Sequence, residues 1–79
     1  MLEAYSLPSE CVGAGLYNKR IYAFSEDMIY RADLGSRRFT PLSISHLMSG
    51  QTVTGFLGIL KNGVALVSCM NEVYAVTLL

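Results

Sequence analysis

The sequence contains no tryptophan, a single histidine, two cysteines and two prolines, and charged residues make up only 15% of its 79 positions. Soluble domains usually carry about 25% charge. Six basic residues cancel six acidic ones, so no net field draws the chain to nucleic acid or to an anionic membrane. Without tryptophan and with few arginines, the stacking and phosphate chemistry of nucleic-acid binders is thin as well. His46 has no second histidine and no nearby cysteine to orient it, and reads as a loop residue rather than a base or ligand. Cys11 and Cys69 fit no metal or redox spacing and read as small buried hydrophobes. The acids of Ser9-Glu10 and Glu26-Asp27 read as turn residues capping backbone amides. No catalytic residue, metal site or cofactor is expected. The opening MLEAYSLPSE has an acid where a signal peptide needs basic residues and an apolar run, which favours a cytoplasmic protein.

What the chain has in quantity is apolar side chain, at 52%. A chain of this length forms one domain, 1–79, and buries only about 60% of the surface its unfolded form exposes. Much of the apolar excess is therefore left outside, where it marks contact with another chain. From Val53 to Met70 the run is apolar enough to raise the question of a membrane span. Lys61-Asn62-Gly63 in its middle is costly at a bilayer centre and makes a good hairpin turn, so the run reads as two strands.

Short β-rich runs alternate with turn residues along most of the chain, the pattern of an antiparallel sheet. Cys11–Tyr17, Arg20–Phe24, Met28–Ala32 and Arg37–Leu42 form the first group, with Pro41 suited to an edge. Residues 43–50, SISHLMSG, break the rhythm as a loop or one helical turn. Thr52–Leu60, Val64–Cys69 and Val73–Leu78 form the second group.

The two groups repeat one another. GLYNKRIYAFSEDMIYRADL from Gly15 aligns with GILKNGVALVSCMNEVYAVTL from Gly58 with one gap, matching Gly15 to Gly58, Ile21 to Val64, Ser25 to Ser68, Tyr30 to Tyr74 and Leu34 to Leu78. The offset of 43–44 residues lies in the range of propeller blades. Tyr5-Ser6-Leu7-Pro8 also echoes Phe39-Thr40-Pro41-Leu42. The expected organisation is a spare outer strand at 2–8, repeat one at 11–42, a loop at 43–50, and repeat two at 51–79 lacking its outer strand. The expected fold class is all-β, with two antiparallel blade-like sheets. A small β-sandwich or barrel is the alternative. Ile21, Ala23, Ile29, Val64, Leu66 and Val73 are expected to face the interior.

The segment RIYAFSEDMIYRADLGSRRFTPL resembles a blade of the kelch family, whose pattern runs Ile-Tyr, a turn, then hydrophobic-Tyr-Arg-x-Asp, an aromatic and a proline. The likeness covers residues 12–42 well and 55–78 weakly. Ser25-Glu26 stand where that family has a glycine pair, and Phe39 stands where it has tryptophan. The resemblance implies a protein-interaction scaffold.

Two blades cannot close a propeller, which needs about four to eight. A homo-oligomer is expected, three or four copies giving six or eight blades, with residues 2–7 of one chain pairing with 73–78 of its neighbour. In that arrangement Lys19, Arg20, Arg37, Arg38 and Lys61 gather on one rim, where they would orient an acidic partner protein. The expected function is a non-enzymatic interaction or structural module acting through self-assembly. A lectin-like module binding small ligands between repeats, with Tyr17, Tyr22, Tyr30 and Tyr74 as stacking platforms, is the alternative.

Overall fold

A computed structural model describes residues 2, 4–8, 10–42 and 52–78. It is all-β, and both sheets are antiparallel meanders. The first orders β1 (Cys11–Tyr17), β2 (Arg20–Ser25), β3 (Ile29–Asp33) and β4 (Thr40–Pro41) side by side. The second orders β5 (Gly55–Ile59), β6 (Val64–Cys69) and β7 (Glu72–Thr77). Neither sheet closes into a barrel. The loop expected at 43–50, with its helical turn, lies outside the described residues.

The turns explain the strand limits. Asn18 and Lys19 both take positive φ, 53° and 61°, the two-residue hairpin geometry that matches strand twist. The second sheet makes the same bend with three residues, Lys61–Gly63, closed by bonds from the Gly63 amide to the Leu60 carbonyl and from the Leu60 amide to the Val64 carbonyl. In the next hairpin of each sheet the loops are again alike, Glu26-Asp27 and Met70-Asn71. Ser25, only 4% exposed, stabilises the first of these by accepting a hydrogen bond from the Met28 amide at 3.0 Å. The strand expected at Arg37–Leu42 is shortened to Thr40–Pro41, because Arg37 takes φ 63° and bends the chain before it.

Pairing registers make the two sheets equivalent position by position. Facing β2, the residues paired with Phe24, Ala23, Tyr22 and Ile21 are Gly13, Ala14, Gly15 and Leu16. Facing β6, the residues paired with Ser68, Val67, Leu66 and Ala65 are Gly55, Phe56, Gly58 and Ile59. Gly13 therefore corresponds to Gly55, Gly15 to Gly58, Leu16 to Ile59 and Tyr22 to Leu66. The extra residue of repeat two belongs in the Lys61–Gly63 turn, not after the second strand. Ile21 thus corresponds to Ala65 and Ser25 to Cys69, one position away from the matches expected from sequence.

A one-residue slip exchanges the faces of a strand, and the core shows it. Tyr22, Phe24 and Ile29 of the first sheet pack with Ala65, Val67, Cys69 and Val76 of the second, with Val53 and Leu78 closing the cluster. Of the six residues expected inside, Ile29 lies in this cluster and Ala23 is buried in β2. Ile21, Val64 and Leu66 are only half-buried, and Val73 is 56% exposed.

The sheets meet along β1 and β5. The Phe56 ring stacks on Phe24 with centroids 4.8 Å apart and lies over Gly13 and Gly15, where any added Cβ would be within 3.0 Å of it. We call the glycine-bearing side of each sheet its front and the other side its back. The contact then joins the front of the first sheet to the back of the second: Gly13, Gly15, Tyr22 and Phe24 receive Phe56, Ile59, Ala65 and Val67. Equivalent faces do not meet, so the stacking is head-to-tail.

Candidate functional interface

Among the described residues, head-to-tail stacking packs one face of each sheet and leaves the other more open, although Ala23 and Ala32 on the back of the first sheet are buried. The back of the first sheet presents Ala14, Leu16, Ile21 and Tyr30, with Leu16 62% exposed. The front of the second presents Gly58, Leu66, Val73 and Ala75, and an added Cβ on Gly58 would meet nothing within 4 Å. The first of these faces is apolar and the second is largely so, with Ser68 and Thr77 among its residues; apolar patches rimmed by polar turns mark protein contacts.

The second sheet also has an open edge. In the first sheet β3 is covered by β4, through Tyr30↔Pro41 and Arg31↔Thr40. Among the described residues, the equivalent strand β7 has no fourth strand beside it. The described residues of the segment expected to serve as that strand, 2 and 4–8, are not in a strand in the single chain, and Tyr5 among them reaches the β3–β4 loop of the first sheet. There the Tyr5 hydroxyl accepts a hydrogen bond from the Gly35 amide at 2.6 Å, and the Arg37 guanidinium stands 5.8 Å from its ring centre. The reason is topological: β7 belongs to the other sheet, while the β3–β4 hairpin offers a donor and a cation close by.

Charge is sorted by end. Lys19 and Arg20 sit at the β1–β2 turn, Arg37 and Arg38 in the β3–β4 loop and Lys61 in the β5–β6 turn. These turns share one end of the molecule, since the Leu34 amide bonds the Lys19 carbonyl and the Tyr17 ring lies against Gly63. Not all five present open charge: Arg20 pairs with Asp33 at 3.2 Å, and Arg37 is engaged with Tyr5. Lys19 borders a shallow recess with Asn18, Arg20, Asp33 and Leu34, and Arg38 borders another with Arg31, Ser36 and Thr40. The opposite end carries Glu10, Glu26, Asp27 and Glu72. Glu10, Glu26 and Asp27 line a recess there with Cys11, and Glu72 accepts a 2.8 Å hydrogen bond from the Tyr74 hydroxyl. That bond, with slight desolvation and the Glu72 charge, raises the Tyr74 pKa above its usual value.

Lys19 at φ 61° is strained, a conformation that costs a non-glycine residue about 1–2 kcal/mol. Lys19→Gly is expected to raise stability by about 1 kcal/mol, a gain of roughly 4–8 °C in thermal midpoint for a chain this small. An unchanged or lower midpoint in a calorimetric scan would show that Lys19 is held by contacts that offset the strain.

Cys11 and Cys69 are both free thiols, the first half-buried and the second buried. No group of three or more His, Cys, Asp or Glu side chains that could hold a metal occurs among the described residues, and His46 and Ser9 lie outside them. Among the described residues no helix is long and apolar enough to cross a membrane. Comparison with protein-family models, curated proteins and solved structures finds no match.

Proposed function

We propose that this chain is a non-enzymatic interaction module that works by self-assembly, with each copy supplying two blades of a propeller-like ring. One observation carries the reading: among the described residues, the two sheets stack head-to-tail and leave one front, one back and one strand edge open. A head-to-tail interface repeats from copy to copy and makes a ring where its rotation closes, and closure leaves no edge exposed. Three copies give six blades and four give eight, both within the range that propellers use. The strand missing beside β7 is supplied by residues 2–7 of the neighbour, whose segment Tyr5-Ser6-Leu7-Pro8 carries the same aromatic, hydroxyl, leucine and proline set as Phe39-Thr40-Pro41-Leu42. Exchange costs each chain one exposed hydrogen bond and one cation–π contact at Tyr5, about 1 kcal/mol each. It gains a ladder of backbone bonds along an edge otherwise left to water. The basic turns then form one rim of the ring, which orients an acidic protein partner.

Hydrogen exchange tests the strand exchange. The outward amides of β7 are expected to be protected in the full chain and to exchange freely once residues 1–8 are deleted. The truncated protein is expected to dissociate or aggregate. Equal, rapid exchange in both proteins would overturn the reading.

A further inference from the structure

We infer that the surface joining one copy to the next is a socket at Gly58 on the front of the second sheet, filled by Leu16 from the back of the neighbour's first sheet. The inference rests on the self-assembly reading and adds to it the residues that make the contact.

The internal interface is the template. Within one chain the front of the first sheet forms a trough at Gly13 and Gly15, where the absence of side chains lets β5 approach closely. Phe56 and Ile59 fill it, lying 2.6 Å and 3.0 Å from the positions that Cβ atoms on Gly13 and Gly15 would take. The pairing registers put Gly55 and Gly58 at the corresponding places on the second sheet, with Leu57 bulged between Phe56 and Gly58. The Ser68 hydroxyl occupies the Gly55 half, 2.7 Å from an added Cβ, whereas Gly58 keeps its half open, with no atom within 4 Å of one. What fills the internal trough is Ile59 and Phe56, and their counterparts on the first sheet are Leu16 and Ala14. Leu16 is 62% exposed in the single chain. An apolar knob without a hole and a hole without a knob thus occupy equivalent positions on opposite outer faces. One rotation, the same that relates the two sheets within a chain, brings them together.

The geometry also agrees with the strand exchange. The chain that offers its first-sheet back to the socket is the one whose residues 2–7 precede β1, so a single neighbour supplies both the knob and the missing strand. Ala14 is smaller than Phe56, which leaves room for Leu66 on the socket side, where it pairs with Gly58 across β5 and β6. Leu66 stands opposite Gly58 where Tyr22 stands opposite Gly15 in the internal trough.

Two variants and their mixture test the contact, each carrying a charge at a position at least partly open to water in the single chain. Leu16→Lys spoils the knob and leaves the socket intact; Leu66→Asp spoils the socket and leaves the knob. Burying a leucine favours association by enough that losing it weakens binding about tenfold or more. Each variant alone is expected to sediment as a monomer with an unchanged strand circular dichroism spectrum. Mixed in equal amounts they are expected to associate, because every Leu16→Lys copy still has a good socket and every Leu66→Asp copy a good knob. The remaining contact pairs lysine with aspartate. Leu34→Lys, at a turn and 58% exposed, is expected to assemble like the native chain. If the native chain assembles and Leu16→Lys assembles with it undiminished, the socket is wrong while self-assembly stands. If the variants are monomeric alone and remain so when mixed, the contact is not head-to-tail and the inference fails. A monomeric native chain overturns the self-assembly reading itself.

Discussion

Val67→Asp is expected to abolish folding, whereas Leu66→Asp, one residue away on the same strand, is expected to leave a folded chain. Val67 is fully buried against the first sheet, paired with Phe56 on one side and Tyr74 on the other. A carboxylate there meets no cation in the core cluster, whose members are all uncharged. Burying an unpaired charge costs several kcal/mol, comparable with the 5–15 kcal/mol that holds a small domain together. Protonation would lower that cost without supplying a hydrogen-bond partner. Leu66 points to the opposite face, where it is partly open to water. Soluble yield and the circular dichroism spectrum read the difference. Failure of Leu66→Asp alone would show that the faces of β6 are assigned the wrong way round, and failure of both that the face bearing Leu66 is also covered within the chain.

The second large effect concerns the trough. Gly13→Val is expected to lower stability by about 1–3 kcal/mol through overpacking. The new Cβ would lie 2.6 Å from the Phe56 Cβ, and neither atom can be moved by a rotamer change. The strand or the sheet must shift instead. Phe56→Ala alone also destabilises, by removing the ring stacked on Phe24. Together the two substitutions are expected to cost somewhat less than their sum: the Cβ–Cβ approach remains, but losing the ring, whose Cδ2 and Cγ lie 3.0 and 3.1 Å from the new Cβ, opens space for the valine methyls. Additive losses in denaturant titrations would mean that the Phe56 ring does not lie over Gly13.

The sequence made the strands and most turns legible, because each turn uses residues with a specific backbone preference. Asn18, Gly63 and Asn71 mark hairpins between β-rich runs, and all three lie between strands in the structure. The repeat was legible too, but not its register. Ile21 resembles Val64 more than Ala65, and Ser25 resembles Ser68 more than Cys69, so side-chain likeness draws the gap to the wrong place. The turn decides otherwise, because a two-residue bend at Asn18-Lys19 faces a three-residue bend at Lys61–Gly63. That single residue reverses which face of β6 is inside.

The socket was less legible still. Gly13, Gly15, Gly55 and Gly58 look in the sequence like residues that weaken strands. Only the pairing shows that they line up, Gly13 and Gly15 under Phe56 and Ile59, Gly58 open and Gly55 against the Ser68 hydroxyl. The five basic residues were legible as a cluster from turn order alone. Their individual states were not: the pairing of Arg20 with Asp33 depends on β2 and β3 being neighbours, and the approach of Arg37 to Tyr5 depends on where the amino-terminal segment runs.

The mass of the intact chain in solution tests self-assembly most directly. Light scattering at micromolar concentration is expected to give three or four times the 8.7 kDa of a single chain, with one value dominating because a ring closes at a fixed number. A mass of 8.7 kDa that persists as the concentration is raised would contradict the ring, leaving two stacked sheets complete within one chain.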